Sequence, residues 1–222
     1  MLNFSSSVGE TDLRLAIVEC GRITYERHLT TSNDGNISVR MDDGFILITP
    51  SSISKGRLSP DDLIVVDLDG NVVSAMVDRR PSSETPMHLE VYKQREDVRA
   101  VLHAHPIFAT TLTVAGSEFP MDVLPEVLLT LGNVPITDYA TPSSHEDATA
   151  IRPFVKDHNA LLLSQHGSLT YGKNLDEALI HLERIEHVSE IYWRAKMLGT
   201  VKRVPPEAHG KLIELREKYF KA

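Results

Sequence analysis

Val98-Arg-Ala-Val-Leu-His103-Ala-His105-Pro106 is the stretch whose reading decides the fold and the chemistry of this chain. It reads as a buried strand ending in two histidines spaced i, i+2. Alternate side chains of a strand share a face, so His103 and His105 project together with Ala104 turned away. On a helix the same positions lie about 200° apart, and one ion can hardly collect both. Pro106 supplies the stop, because it has no N–H for a ladder and holds its predecessor in extended geometry. Two like-facing imidazoles at a strand end make up half of a zinc-type coordination sphere. Taken alone His-x-His is a weak signal; it needs a third ligand and a base from elsewhere in the chain.

Outward from this strand the pattern alternates between helix and strand. Upstream, residues 84–95 read as a helix with Met87, Val91 and Tyr92 on its buried side. Downstream a helix starts at Pro106, the favoured first position for proline. Residues 7–30 carry Leu13, Ala16, Ile17, Cys20 and Ile23 at helical spacing. Strands are expected over 37–41, 45–49 and 63–67, the first two joined by a hairpin turn at Asp42-Asp43-Gly44. The segment after the turn at Asp69-Gly70-Asn71 reads as a polar connection. Residues 116–135 read as irregular, with 127–131 open to either helix or strand. A helix over 146–156, strands over 160–164 and 168–171, a long helix over 175–198 and a last helix from Pro205-Pro206 to the C-terminus complete the order. No repeat or linker interrupts it, so residues 1–222 read as one domain. Helices mixed with hairpin-joined strands predict a three-layer α/β/α sandwich around a mixed, largely antiparallel sheet.

The composition is that of an ordinary globular protein: 41% hydrophobic and 24% charged residues. A net charge of −8 argues against nucleic acid or an anionic membrane as partner, since both require a basic face. The single cysteine, Cys20, excludes an internal disulfide and a cysteine-rich metal site. The N-terminal residues lack the charged and apolar regions of a signal peptide, and no apolar run approaches the roughly 20 residues that span a bilayer. These features give a cytoplasmic protein as the expectation.

Several groups can join the histidine pair. Glu84 heads a helix after two serines, where a carboxylate stabilises the N-terminus and the serines serve as caps; it is also a candidate fourth metal ligand and base. His166 follows the apolar strand and precedes Gly167, either as a turn residue or as the third histidine ligand. The small-residue loops Gly35-Asn36, Ser51-Ser52 and Ser82-Ser83 are ordinary turn sequences one by one, and together offer N–H groups and hydroxyls to an anion. His28, His88, His145, His158, His181, His187 and His209 read as surface or structural. Nothing in the sequence marks Lys55 as desolvated, so no Schiff-base lysine is expected.

Five motifs in order carry a resemblance: Gly35-Asn36-Ile-Ser-Val-Arg40, Leu47-Ile-Thr-Pro-Ser51-Ser52, Arg80-Pro-Ser82-Ser83-Glu84, His103-Ala-His105-Pro106 and Gln165-His166-Gly167. Together they resemble the class II aldolase/adducin family over about residues 10–200. The resemblance implies the α/β/α fold and a metal site of His103, His105 and His166, with Glu84 as resting ligand and acid/base. The metal it implies is Zn2+, with Mn2+ or Co2+ as alternatives. Gly35, Asn36, Ser51, Ser52, Ser82 and Ser83 would hold the substrate phosphate. It further implies a homotetramer with active sites between subunits. The reaction implied is cleavage of a ketose 1-phosphate, of the L-fuculose or the 5-deoxy- or 5-methylthioribulose 1-phosphate kind, to dihydroxyacetone phosphate and an aldehyde. Dehydratase, decarboxylase and 4-epimerase reactions share the scaffold, as does a non-catalytic adducin-like module. The chain departs from the pattern at Leu124, where the family's aldolases have a tyrosine acid. Glu126 is the nearby replacement candidate, and Tyr219 resembles a C-terminal tyrosine that closes over the substrate.

Overall fold

The computed structural model describes residues 9–219. In chain order it contains helix α1 (Glu10–Glu26), strands β1 (Asn36–Arg40), β2 (Ile46–Ile48), β3 (Ile64–Val66) and β4 (Val72–Ala75), helix α2 (Thr85–Gln94), strand β5 (Ala100–Ala104), helices α3 (Ile107–Val114), α4 (Pro125–Thr130) and α5 (His145–Ile151), strands β6 (Ala160–Leu163) and β7 (Gly167–Gly172), and helices α6 (Leu175–Leu198) and α7 (Pro206–Tyr219). The seven strands form one sheet in the order β4-β3-β2-β1-β5-β7-β6, and all six ladders are antiparallel. The parallel component of the expected mixed sheet is a single bridge between Ile136 and Leu162.

The strand period of two sorts the sheet residues onto two apolar layers. Ile37, Val39, Leu47, Leu102 and Ala104 pack with Ile17 of α1 and Leu182 of α6. Ile48, Ile64, Val101 and Leu169 pack on the opposite face with Met87 and Tyr92 of α2 and Ile151 of α5. A third cluster, around Leu112, Val127 and Ile185, seats α3 and α4 against α6. His103 follows Val101 in phase and therefore faces the α2 layer, and so do Asn36 and Ser38 of β1. The register places Asn36 directly opposite His103.

Several element boundaries differ from the sequence expectation. Of the first helix expected over 7–30, residues 7 and 8 lie outside the described residues. Its C-terminus comes at Glu26, where His28 adopts a left-handed φ of 58° and the chain turns. The polar connection after Asn71 contains the edge strand β4, whose residues are all exposed. Residues 127–130 of the ambiguous run belong to helix α4, which Leu131 caps, and the helix expected over 146–156 ends at Ile151. The last helix is described to Tyr219; residues 220–222 of that expectation lie outside the described residues. Among the described residues no helix is long and apolar enough to cross a membrane.

Candidate metal and active site

Strand β5 ends at Ala104, and His105 follows it with its N–H bonded to the Leu29 carbonyl, so the strand geometry extends through both histidines. His166 arrives from the turn between β6 and β7, where Gln165 takes a positive φ of 54° and the His166 N–H returns to the Leu163 carbonyl. Gly167 makes this approach possible, because a Cβ there would lie 2.3 Å from the Ala104 carbonyl oxygen and 2.8 Å from the His105 ring. One ring nitrogen from each of His103, His105 and His166 lies within 4.8 Å of the others. Glu84 enters from the N-terminus of α2 and bridges two of them: Oε2 is 3.4 Å from His103 Nε2 and Oε1 is 3.2 Å from His166 Nε2. The four residues thus come together from three parts of the chain.

The protonation states suit a cation. His103 Nδ1 lies 2.9 Å from the Ser168 carbonyl, which can only accept, so this nitrogen carries the proton and Nε2 presents its lone pair inward. His105 Nδ1 is 3.7 Å from the Asp34 carboxylate, which favours the proton on that side, and His105 Nε2 faces His103 Nε2 at 2.9 Å. Two bare lone pairs this close repel unless a cation sits between them. Burial pushes His103 down to about 4 and His105 to about 3, so both rings are neutral at pH 7. Burial raises the Glu84 carboxyl, but hydrogen bonds from His166 and the Asn36 amide outweigh it and hold the group well below the usual carboxylate range. Three imidazole nitrogens and one carboxylate fit a borderline divalent ion, and the outer contacts to Ser168 and Asp34 orient the rings as such sites require.

The three small-residue loops are tied to one another beside this cluster. Pro50 and Pro81 form a bridge, the Ser51 N–H donates to the Arg80 carbonyl and the Ser82 N–H to the Thr49 carbonyl. Gly35 takes a φ of +74° and lies so close to β5 that a Cβ would meet the His103 carbonyl at 2.8 Å. Ser52 is exposed with a left-handed φ of 63°. Ser82 is buried and its hydroxyl accepts from the Glu84 N–H, while Ser83 shares a hydrogen bond with Ser143. Asn36 uses both ends of its side chain inside the protein: Nδ2 donates to Glu84 Oε2 at 2.6 Å and Oδ1 faces His88 Nε2 at 2.6 Å.

Lys55 corrects an expectation. It is 2% exposed, and its ammonium donates to the carbonyls of Asn33 and Ile53, clamping the Gly35 loop to the Ser52 loop. Burial lowers it to about 8. The desolvation comes from packing with α1, where Gly21 touches the Lys55 backbone, a long-range contact with no local signal in the sequence. Its Nζ engages two of its three N–H groups with carbonyls.

Glu126 and Tyr219 are placed elsewhere. Glu126 is exposed in the first turn of α4, and Leu124 beside it packs into the third core cluster. Tyr219 is 62% exposed at the end of α7, under the ammonium of Lys218. Among the described residues no hydrogen bond or ring contact joins either to the histidine cluster. Sequence reading missed Asp34 and His88 as partners of the site. Asp34 lay within the turn-rich run before Gly35, and His88 lay one helical turn after Glu84, a spacing that places the two on one face.

Comparison with known proteins agrees with this geometry. The family model for the class II aldolase and adducin N-terminal domain matches residues 15–193. The chain is 32% identical over 207 residues to the 5-deoxy-D-ribulose 1-phosphate aldolase of Bacillus thuringiensis serovar kurstaki, covering 93% of this chain and 96% of the relative. It is 31% identical over 181 residues to the 3-oxo-tetronate 4-phosphate decarboxylase of Haemophilus influenzae, covering 80% and 85%. A solved L-fuculose 1-phosphate aldolase superposes with a TM-score of 0.85 at 31% identity, covering 97% of this chain and all of that one. With a matching family model over most of its length and a three-histidine cluster that can hold a metal, this chain belongs to the class II aldolase and adducin family.

Proposed function

We propose that the protein is a divalent-metal-dependent aldehyde-lyase that cleaves a ketose 1-phosphate to dihydroxyacetone phosphate and an aldehyde, with Zn2+ as its metal. The observation that carries this reading is the Glu84 carboxylate set between His103 and His166 and held by the Asn36 amide. Such a group is ionised, close to the reacting centre and able to leave its resting contacts. His103, His105 and His166 would hold the ion, which when bound supplies positive charge opposite the oxygens on which negative charge develops. Cleavage of C3–C4 leaves the electron pair on the dihydroxyacetone phosphate half and sends the C4 hydroxyl proton to water. Glu84, ionised at rest, would take up a proton from water once displaced and deliver it to C3 from a carboxyl oxygen. The loops of Gly35-Asn36, Ser51-Ser52 and Ser82-Ser83 would take the phosphate through N–H groups and hydroxyls, with the Lys55 clamp keeping two of them in register. Glu126 and Tyr219, exposed on α4 and α7, would complete a neighbour's site in a homotetramer.

A second reading is favoured by Leu124. A retro-aldol step must remove the C4 hydroxyl proton as the aldehyde forms, and an apolar side chain at that position cannot accept it. Decarboxylation of a 3-oxo-tetronate 4-phosphate needs no such group, since carbon dioxide leaves with its oxygens already bare, and it also yields dihydroxyacetone phosphate. The similarity to the Haemophilus influenzae decarboxylase supports this alternative.

One assay separates the two. The zinc-loaded protein is incubated with a panel of ketose 1-phosphates, including L-fuculose, 5-deoxyribulose and 5-methylthioribulose 1-phosphates, and with 3-oxo-tetronate 4-phosphate. Dihydroxyacetone phosphate is coupled to an NADH-dependent reductase, and light scattering of the same sample gives its copy number. Turnover of a ketose 1-phosphate with release of an aldehyde is the expected result. Carbon dioxide release from the oxo acid alone selects the decarboxylase, and silence on every substrate sinks both.

A further inference from the structure

Behind Glu84 lies a run of buried polar side chains that reaches away from the metal cluster. Asn36 and Ser38 project from one face of β1, and Glu84, His88 and Tyr92 follow one another at intervals of four along α2. The two rows meet. Glu84 Oε2 takes Asn36 Nδ2 at 2.6 Å, Asn36 Oδ1 faces His88 Nε2 at 2.6 Å, His88 Nδ1 faces Ser38 Oγ at 2.6 Å, and Ser38 Oγ lies 2.8 Å from the Tyr92 hydroxyl. Ser38 and His88 have no exposed surface, Tyr92 has 1% and Asn36 3%.

The direction of every bond follows from its acceptor end. A carboxylate can only accept, so the amide nitrogen of Asn36 faces Glu84 and its oxygen is left toward His88. That oxygen needs a donor, which places the His88 proton on Nε2. A neutral ring then has a bare Nδ1, which takes the Ser38 hydroxyl proton, and the Ser38 oxygen accepts from Tyr92. The consequence lies in the amide. An Asn side chain can turn over and present either end, and presenting Oδ1 to Glu84 would set oxygen against carboxylate. The His88 N–H makes that orientation the unfavourable one.

We infer that Asn36 and His88 are positioning residues for Glu84: the one-directional chain Tyr92–Ser38–His88–Asn36 fixes which end of the Asn36 amide meets the carboxylate and thereby where Glu84 rests between His103 and His166. The inference rests on the reading of Glu84 as the acid/base of the site. It assigns to His88, which shares no hydrogen bond or ring contact with the three histidines among the described residues, a share in the rate. It also gives the Asn36 side chain a role beyond that of its loop in phosphate binding.

Two experiments test it. Nitrogen NMR of the imidazoles in the unmodified, zinc-loaded protein should show His88 neutral with its proton on Nε2; a proton on Nδ1 overturns the chain whatever the enzyme's reaction is. Two variants of the same chemistry but different reach then separate positioning from packing. His88→Gln extends an amide N–H to about the place of Nε2, whereas His88→Asn stops at about the place of Nδ1 and loses the donor to Asn36. H88N should lose kcat by about 10- to 100-fold, the range for contacts that orient a metal-site group, with KM within about twofold. H88Q should recover most of that loss at similar thermal stability. Equal kcat in the two, or a loss confined to KM, refutes the inference. If no substrate on the panel turns over in the unmodified protein, the functional reading fails while the NMR result still decides the chain.

Discussion

Glu84 sits where three different forces act on one carboxylate. Burial disfavours its charge, while the hydrogen bonds of the His166 imidazole and of the Asn36 amide favour it, and the second set prevails. An ionised, partly buried carboxylate with one strong amide donor is stable at rest and yet able to take up a proton when its partners change. Glu84→Gln removes the charge and keeps the shape, and its amide oxygen still accepts from Asn36. The variant should fold with an unchanged thermal midpoint and retain metal through three histidines, yet lose about 10²–10⁴-fold in kcat, the typical worth of a general acid/base. Metal content by atomic emission and steady-state kinetics read the two halves separately. An active E84Q enzyme would assign the proton transfer to another group. His103 and Lys55 show how unevenly such chemistry is written in a sequence. The like-facing pair His103 and His105 follows from a period of two and needs only a strand to be legible. The desolvation of Lys55 depends on α1 lying over it, and no residue near Lys55 announces that packing.

At the scale of elements the site depends on two backbones approaching more closely than side chains ordinarily permit. The β6–β7 turn brings His166 against β5 because Gly167 leaves its space to the Ala104 carbonyl and the His105 ring. Gly167→Ala puts a methyl group into contact with backbone, which cannot move aside as a side chain can. It should destabilise the fold by about 1–3 kcal/mol, the usual range for overpacking, and weaken metal binding by shifting His166 away from His105. Urea unfolding and a chelator competition measure the two effects, and a G167A protein with native metal affinity would show that the turn tolerates the shift. The elements that the sequence did not disclose have physical reasons of the same kind. Strand β4 is exposed along its whole length, so Val72-Val73-Ser74-Ala75 has no buried face to impose an alternating pattern. Helix α4 is one and a half turns long, and the apolar run from Val127 is too short for its period to be told from a strand's. The α2 spacing of Glu84, His88 and Tyr92 was readable as one face, but its partner row, Asn36 and Ser38, is brought opposite only by the sheet order. Glu84 and the three histidines were legible because each stands at the end of an element with a clear period, and those ends gather at the C-terminal end of the interior strand β5.

For the molecule as a whole, placing neutral histidines deep in the protein has a cost that depends on pH. His88 is buried without exposed surface and its pKa falls to about 4, whereas the unfolded chain protonates it near 6.5. Between these values the unfolded state binds the proton and the folded state does not, so stability decreases as the pH falls through that window. Most depressed carboxylates, Glu84 among them, release their share of stability only below about pH 4.5, where unfolded carboxylates begin to protonate. The range from pH 7 to pH 5 is therefore governed by histidine. His103 and His105 act in the same direction when no metal holds them, while Asp147 and Glu186, raised by burial, act against it. These four are common to the protein and its H88Q variant, so a comparison of the two isolates His88. In chelator-treated samples the unfolding free energy of the unmodified protein should drop between pH 7 and pH 5 by on the order of 2 kcal/mol more than that of H88Q. Parallel pH dependences in the two proteins would mean that His88 is already charged in the folded state. In that case both of its ring nitrogens would donate, the Ser38 hydroxyl would have to turn away, and the chain that orients Asn36 toward Glu84 would end at His88.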